Sequence, residues 1–258
     1  MHRPRKRFGQ HFLTDSRVVD DILTAIQPRK DEHVVEIGPG RGALTQSLAR
    51  YAGRLTLIEL DRDLVSHLRR LYAQVEQVEI ISADALEVDY TELGSNLRVV
   101  GNLPYNISTP LLFHLAAHAS VVRDMHFMLQ KEVVDRIVAE PGSKAYGRLG
   151  VMLRARLTAT HLFDVAPDAF DPPPRVQSAV VRLNPALQPL QLDDPERFAS
   201  VVTQAFSQRR KTLRNTLKGT FSADELVAQQ IDPQARAETL SAAQFARLAN
   251  SLTRRDGN

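Results

Sequence analysis

Short apolar runs alternate with helical patterns along the first half of the chain, and this alternation limits the folds that the chain can adopt. Four runs of strand length, at 34–37, 55–59, 78–81 and 98–101, are separated by segments whose apolar residues recur at helical spacing. Another run follows at 125–129. Such alternation is typical of a parallel sheet that helices cover on both faces. The sequence therefore predicts an α/β fold with a doubly wound, mostly parallel sheet.

The strand pattern stops near residue 185. Two late strands, at 161–165 and 179–183, are placed so that they could close the sheet as an antiparallel hairpin. Four later segments have helical patterns, at 195–206, 209–218, 223–230 and 241–252. We therefore expect two domains, a sheet domain over 1–185 and a small all-helical domain over 186–258.

Composition and length are those of a globular protein without a membrane span. The chain has 258 residues, of which 43% are hydrophobic and 24% are charged. No apolar run approaches the roughly 18 residues that span a bilayer. Cysteine is absent, which excludes disulfides and thiolate catalysis and fits a reducing compartment. The basic start of the chain is followed by no apolar segment of a secretory signal, so a cytoplasmic protein is expected.

Positive charge is concentrated in two clusters, although the net charge is only +3. One cluster lies within residues 3–7, and the other lies within 204–218, a segment without an acidic residue. Clustered cations neutralise phosphates better than scattered ones, so a nucleic-acid contact is predicted. The alternative is a solvated tail and a solvated helix face. The residues assigned to RNA binding are Arg209, Arg210, Lys211 and Arg214.

Glycines follow the first predicted strand, at the edge where a parallel sheet binds ligands. Gly38, Gly40 and Gly42 lie directly after that strand, and glycine turns there let a cofactor approach the backbone closely. Glu59 ends the second strand, where a carboxylate can accept hydrogen bonds from both ribose hydroxyls. Asp84 follows the third strand and could accept a hydrogen bond from an adenine amino group. These residues predict a site for a nucleoside cofactor.

Two cofactor classes fit the first two strands equally well. The segment Gly38–Ala43 also satisfies the dinucleotide fingerprint, and Glu59 lies at its acidic distance, as in a nicotinamide-dependent oxidoreductase. Asp84 and Asn102 favour S-adenosylmethionine (SAM) instead, because a third-strand carboxylate and an amide suit an adenine and a methyl acceptor.

The tetrapeptide Asn102-Leu103-Pro104-Tyr105 follows the fourth strand and can hold a flat nucleobase. The Asn102 side-chain oxygen and the carbonyl of Leu103 or Pro104 can accept hydrogen bonds from an exocyclic amine, which favours a pyramidal nitrogen with a directed lone pair. Catalysis is then mainly positioning and electrostatics. Tyr105 can stack on a base that is looped or flipped out of its helix. The alternative is an ordinary turn after a strand.

With these residues, the chain resembles the KsgA/RsmA family of small-subunit ribosomal RNA adenine dimethyltransferases. The resemblance runs from about residue 6 to residue 218. It is carried by seven blocks in order, at 7–13, 36–42, 101–110, 126–133, 144–148, 170–181 and 209–215. It implies a Rossmann-like SAM-dependent methyltransferase fold and dimethylation of two adjacent adenosines in a hairpin loop near the 3′ end of 16S rRNA. It also implies a role in small-subunit biogenesis. Separately, no metal site is assigned, and a monomer is expected because nothing in the sequence demands a dimer.

Carried over by position, the resemblance assigns His11 and Leu13 to the cofactor through the N-terminal segment. His11 stands where many relatives have asparagine, so either a backbone or a side-chain contact is expected; the alternative is a surface histidine. The other cofactor residues that it implies are Gly38, Gly40, Glu59, Asp84, Ala85 and Asn102.

Other functions remain open at this point. The related large-subunit enzyme of macrolide resistance shares the cofactor blocks and a similar motif, although Leu103 and the block at 208–215 favour the small-subunit enzyme. A non-catalytic RNA-binding assembly factor would need no intact methyl-transfer site. Phe170 begins a proline-rich segment, 170–176, that either frames the target-base pocket, with the Phe170 ring stacked on the base, or simply connects two strands.

Overall fold

The computed structural model describes residues 11–256, and their contacts divide the chain into two compact units. The first unit contains the residues up to Val134 together with Ala159–Pro185. The second contains Asp135–Thr158 and the chain from Ala186 onward. The expected boundary near 185 left the segment 135–158 with the sheet, whereas the contacts group that segment with the C-terminal helices. The basic cluster at residues 3–7 lies outside the described residues.

Nine strands form two sheets within the described chain. Seven of them form one sheet in the order β4-β3-β2-β5-β6-β9-β7, and β1 pairs with β8 in a separate antiparallel ladder. The strands are β1 (Phe12–Leu13), β2 (His33–Ile37), β3 (Arg54–Glu59), β4 (Val78–Ser82), β5 (Leu97–Asn102), β6 (Val122–Gln130), β7 (Leu157–Val165), β8 (Phe170–Asp171) and β9 (Ser178–Pro185).

Ten α-helices accompany these strands in the part of the chain that the structure describes. Asp15 caps the first of them by accepting a hydrogen bond from the Arg17 amide. No helix within 11–256 has the length and apolar character to cross a membrane. The helices are α1 (Ser16–Ile26), α2 (Thr45–Tyr51), α3 (Arg62–Leu71), α4 (Ser108–Ala117), α5 (Lys131–Val138), α6 (Arg148–Arg154), α7 (Pro195–Ala205), α8 (Leu213–Thr216), α9 (Ala223–Ala228) and α10 (Ala242–Asp256).

The large sheet has the predicted doubly wound arrangement. Strands β4, β3, β2, β5 and β6 pair in parallel, and the central ones read as apolar runs because both faces are buried. β9 pairs antiparallel with β6, and β7 lies beside β9 at the edge. The prediction of an α/β sheet with a late antiparallel addition is confirmed. The strand order reverses beside β2, where the carboxyl ends of β2 and β5 leave a crevice.

The second unit is helical and has its own apolar core, which includes Phe198, Leu213 and Phe245. The helix predicted over 209–218 was wrong in extent, because only α8 forms there. The Leu213 amide donates to the Ala235 carbonyl instead of continuing a helix, and the Lys211 amide closes a turn onto the Gln208 carbonyl. Tertiary hydrogen bonds thus displace the local helical preference.

Candidate active site

One pocket lies at the carboxyl ends of β2, β3, β4 and β5, within the first unit. All the residues that the sequence assigned to catalysis or to the cofactor line it. They are His11, Leu13, Gly38, Gly40, Glu59, Asp84, Ala85, Asn102, Leu103, Pro104 and Tyr105. The structure therefore brings together residues that lie as far apart in the sequence as His11 and Tyr105, because parallel strands end at one edge of their sheet.

The three glycines of the loop all have positive φ angles, and Gly38 and Gly40 are the two that line the pocket. Gly38 and Gly40 have φ angles of +65° and +58°, in the left-handed region that side chains rarely adopt. A Cβ atom on Gly40 would lie 3.1 Å from the Phe12 ring. The loop can therefore pass close to β1 and turn its backbone toward the pocket only because these side chains are absent.

Glu59 connects the end of β3 to this loop. Its Oε2 accepts a hydrogen bond from the Gly40 amide at 3.2 Å, and its Oε1 accepts one from the Asp61 amide at 2.9 Å. The carboxyl is nearly buried, and burial raises the pKa of Glu59 above its ordinary value. Each carboxylate oxygen has a further lone pair, so Glu59 can still accept from hydroxyl groups in the pocket.

A second buried acid, Glu36, lies behind the loop at the end of β2. Its Oε2 accepts a hydrogen bond from the Thr45 hydroxyl at 2.7 Å, and its side chain is shielded from solvent. Burial raises the pKa of Glu36 to about 8, with the Glu59 charge adding to the effect. Glu36 is therefore largely protonated at neutral pH, and the pocket carries less negative charge than its sequence suggests.

Replacing Glu36 with glutamine is expected to flatten the pH dependence of stability. The folded state keeps a proton on Glu36 up to about pH 8, whereas an unfolded chain releases it near the ordinary value of 4.5. The folded state thus binds more protons in this interval, so wild-type stability is full below the lower value and falls as pH rises toward the upper one. Glutamine resembles the protonated acid and cannot ionise. Melting temperatures measured across this interval should fall less in Glu36→Gln than in the wild type.

A matched control for this measurement is Glu79→Gln, whose parent side chain is half exposed on β4. We expect its melting curve to shift with pH as the wild-type curve does. Parallel pH profiles for Glu36→Gln and the wild type would show that Glu36 ionises normally in the folded protein.

Asn102 is anchored by its amide nitrogen. Its Nδ2 donates a hydrogen bond to the His11 carbonyl at 3.0 Å. A carbonyl only accepts hydrogen bonds, so this contact determines which end of the amide faces β1. The Oδ1 atom makes no hydrogen bond with any residue in 11–256, so it is available to accept one from a ligand. The sequence anticipated a His11 contact to the cofactor; the structure shows a backbone contact to Asn102.

Tyr105 is packed against His11 and tied to β9. The two rings stack with centroids 5.7 Å apart, and the Tyr105 hydroxyl shares a hydrogen bond of 2.8 Å with the Ser178 hydroxyl. The His11 Nδ1 donates to the Pro172 carbonyl at 2.7 Å. Burial raises the pKa of Tyr105, so its phenol stays protonated at neutral pH. These contacts hold the ring at the pocket wall.

Asp84 and two neighbours that the sequence analysis did not assign complete the wall. The Asp84 Oδ1 accepts a hydrogen bond from the Leu86 amide at 2.9 Å, which orients the carboxylate after β4. Leu60 follows Glu59 and is 48% exposed although it is a large apolar residue in the pocket wall. Such exposure suits contact with a flat apolar ligand surface. Arg41, between two loop glycines, also lines the pocket.

Phe170 does not line this pocket. Its side chain is buried in the core of the first unit, and its backbone pairs with Leu13 in the β1–β8 ladder. The expectation that its ring stacks on a target base is not met in this structure. The connector interpretation fits its position.

The cations assigned to RNA binding lie in the second unit. Arg209, Arg210 and Lys211 lie in the turn before α8, Arg214 lies within that helix, and all four are exposed. Arg209 donates to the Lys144 carbonyl at 2.7 Å and lies near the Glu238 carboxylate. Arg209 is thus engaged within the protein.

The donor set of the pocket fits SAM. A buried carboxylate at Glu59 suits ribose hydroxyls. The lack of Cβ atoms at Gly38 and Gly40 lets a cofactor approach the backbone closely, and exposed Leu60 suits a purine face. The Asp84 carboxylate suits an adenine amino group. Among residues 11–256, Arg41 is the one arginine or lysine that lines this pocket, and its guanidinium pairs with Asp171 and lies over the Phe12 ring. This engagement disfavours a pyrophosphate contact and hence the nicotinamide interpretation.

Comparison with known proteins gives concordant matches. A family model described as ribosomal RNA adenine dimethylase matches residues 1–254. The chain is 56% identical to the ribosomal RNA small subunit methyltransferase A of Acidithiobacillus ferrooxidans over 255 residues, covering 96% of this chain and 94% of that protein. It is 51% identical to the Pseudomonas aeruginosa protein of the same name over 261 residues, covering 100% and 97%.

Solved structures match the fold over nearly the whole chain. A dimethyladenosine transferase from Plasmodium falciparum matches with a TM-score of 0.79 at 24% identity, covering 95% of this chain and 98% of that one. The 23S rRNA methyltransferase ErmE matches with a TM-score of 0.73 at 26% identity, covering 94% and 99%. The Rossmann-like sheet followed by C-terminal helices is common to all three.

Proposed function

This chain belongs to the ribosomal RNA adenine dimethylase family, and on that premise we propose that it converts two adjacent adenosines, in a hairpin loop near the 3′ end of 16S rRNA, to N6,N6-dimethyladenosine with SAM as donor. It is an rRNA methyltransferase. The single observation that carries the assignment of its site is the anchored amide of Asn102, whose oxygen is directed away from β1 in the wall of a pocket suited to SAM.

The chain's own residues position the acceptor. An adenine N6 amine is a weak nucleophile because its lone pair is delocalised into the ring. Hydrogen bonds from this amine to Asn102 Oδ1 and to a carbonyl of Leu103 or Pro104 favour a pyramidal nitrogen with a localised lone pair. Leu103 is buried and its amide donates to the Met128 carbonyl, so the backbone that presents these carbonyls is fixed to β6. The contribution is preorganised geometry.

SAM supplies the electrophilic methyl group when it is bound. Gly38, Gly40, Glu59 and Asp84 would hold it, with Leu60 and Ala85 beside its purine. No side chain needs to act as a strong base, because the amine becomes acidic only once it is methylated. The Tyr105 phenol is held by Ser178 and stays protonated, so we propose that its ring packs against the target base and transfers no proton.

The target base must leave its helix to reach such a wall, so the substrate is a loop or an unstacked nucleotide. The relatives with the highest identity quoted above carry the small-subunit name, which supports 16S rRNA over the large-subunit rRNA of the ErmE type. We further infer a cytoplasmic enzyme that acts on assembling small subunits, since that is where its substrate is made. A monomer suffices, because one chain supplies the whole pocket.

The deciding experiment is methyl transfer from labelled SAM to small ribosomal subunits that lack the modification, with nucleoside mass analysis. Large-subunit rRNA serves as the control substrate. Dimethyladenosine on the small subunit alone is the expected result. Label on the large-subunit RNA would move the chain to the macrolide-resistance type, and binding of subunits without transfer would indicate an assembly factor.

The cations before and within α8 are proposed to contact the rRNA backbone. Arg210, Lys211 and Arg214 are exposed, and the segment around them contains no acid. Replacing these three with glutamine should weaken RNA binding and reduce the slope of log K against log salt by about 2–3, since each released counterion contributes roughly 0.7–0.9. Binding titrations at several salt concentrations measure that slope.

A matched control replaces three exposed arginines of the first unit, Arg50, Arg69 and Arg70, with glutamine. This variant loses the same charge, so it separates a local contact from the effect of net charge. If the two triple variants have equal slopes of log K against log salt, the cations before and within α8 are solvated and make no specific contact with RNA.

A further inference from the structure

Phe12 of β1 is enclosed by the glycine loop and a guanidinium group. On one side its ring approaches Gly40 so closely that a Cβ atom there would lie 3.1 Å from Cδ1. The Arg41 guanidinium lies over the ring, 4.3 Å from its centroid. A guanidinium over an aromatic face is attracted by the ring quadrupole. The loop that faces the cofactor pocket thus also holds the side chain of β1.

Asp171 closes this arrangement from β8. Its Oδ2 pairs with Arg41 Nη1 at 3.2 Å, and its backbone lies opposite Phe12 in the β1–β8 ladder. Arg41 therefore contacts both strands of the ladder. The plane of its guanidinium lies over Phe12 of β1, and its charge pairs with Asp171 of β8. We call Phe12, Arg41 and Asp171 the Phe12 clamp.

The residue before Phe12 carries the anchor of the methyl-transfer site. The His11 carbonyl accepts the hydrogen bond from Asn102 Nδ2, and this bond sets where the Asn102 oxygen points. His11 and Phe12 share one peptide unit, so a displacement of Phe12 moves that carbonyl. A shift of about 1 Å in such an acceptor is enough to misalign a reacting group.

We propose that Arg41 is a positioning residue for methyl transfer, which acts through Phe12 and the His11 carbonyl to orient the Asn102 amide. This inference rests on the proposed role of Asn102. The Arg41 and Asp171 side chains are 29% and 64% exposed, so their ion pair contributes little to global stability. Loss of the clamp should therefore alter geometry at Asn102 and leave the fold intact.

The clamp also couples cofactor and acceptor sites. The residue that completes it, Arg41, is flanked by Gly40, whose amide is bound by Glu59. The loop thus contacts Glu59, the predicted acceptor for the ribose hydroxyls, on one side. On the other side it contacts Phe12, the neighbour of the His11 carbonyl that holds the Asn102 amide. We therefore expect replacement of Arg41 to lower kcat and to leave the affinity for the RNA substrate unchanged.

The test compares Arg41→Met, Asp171→Asn and the double variant with the wild type in the small-subunit assay. Methionine keeps an unbranched apolar side chain but removes the plane and the charge. We expect each single variant to lower kcat about tenfold with the KM for subunits unchanged. The double variant should be no worse than either single one, because all remove the same clamp. Arg41→Lys, which restores charge without the planar group, should recover only part of kcat.

Arg54→Met is the matched control, because Arg54 forms an exposed ion pair with Glu79 at 2.8 Å and does not line the pocket. It should retain wild-type kcat. Hydrogen exchange of the segment 11–14 gives a readout that is independent of activity, and we expect faster exchange in Arg41→Met and Asp171→Asn than in Arg54→Met.

Three results would overturn the proposal. Unchanged kcat and unchanged exchange would make the clamp a surface contact. A higher KM for subunits at constant kcat would make Arg41 an RNA contact, and a loss in Arg41→Met that Asp171→Asn does not share would make it a direct cofactor contact. Wild-type protein without methyl transfer would instead count against the proposed function, while the exchange measurement would still test the clamp.

Discussion

Replacing Asn102 with alanine is expected to lower kcat for methyl transfer by about 100- to 1,000-fold, the cost of removing one preorganised group that stabilises a transition state. The variant loses the Oδ1 acceptor for the target amine. It also leaves the His11 carbonyl without the donor that now lies 3.0 Å away, so β1 loses a contact beside the pocket. SAM affinity should change much less, because the glycine loop and Glu59 are untouched. Single-turnover transfer to unmodified small subunits, with SAM titrated separately, measures both quantities.

The matched control is Asn106→Ala, which removes an exposed amide four residues later in the same loop. Its kcat should fall less than tenfold, because Asn106 is not anchored to β1. If Asn102→Ala transfers methyl groups at the wild-type rate, the amide is a structural link and the acceptor must be held by backbone carbonyls alone. If both variants lose activity equally, the loop conformation matters more than the Asn102 amide.

The architecture was predictable from the sequence because its strands carry strong local signals. The apolar runs of β2, β3 and β5 are buried on both faces, so burial alone marks them as strands of a parallel sheet. The position of Glu59 follows from the same rule, since strand ends meet at one edge. The family match and the sheet order confirm this fold.

Contacts between distant segments were not predictable in the same way. The Asn102 amide meets a carbonyl 91 positions away, and a backbone carbonyl has no sequence signature. The stacking of Arg41 on Phe12 and the burial of Phe170 depend on the β1–β8 ladder, whose strands of two residues are too short to show a pattern. The truncated helix α8 has a related cause, because remote carbonyls take its first amides.

Replacing Glu59 with glutamine is expected to weaken SAM binding about ten- to hundredfold, because a charge-assisted hydrogen bond to a ribose hydroxyl is worth roughly 1.5–3 kcal/mol. Glutamine keeps the shape and one acceptor oxygen, although its NH2 group would face the Gly40 or the Asp61 amide, each of which now donates to one carboxylate oxygen. Calorimetric titration of SAM measures the affinity, and Glu87→Gln, an exposed acid after Asp84, is the matched control.

The dependence of SAM affinity on pH separates the two interpretations of Glu59. Burial raises the pKa of Glu59 above its ordinary value of 4.5, and only the ionised carboxylate is the strong acceptor. Wild-type affinity should therefore be full well above the raised pKa and fall as pH decreases through it, at a higher pH than for an exposed glutamate. Glu59→Gln should show no such fall. If the variant instead melts at a lower temperature but binds SAM as tightly as the wild type, Glu59 serves only to hold the Gly40 and Asp61 amides.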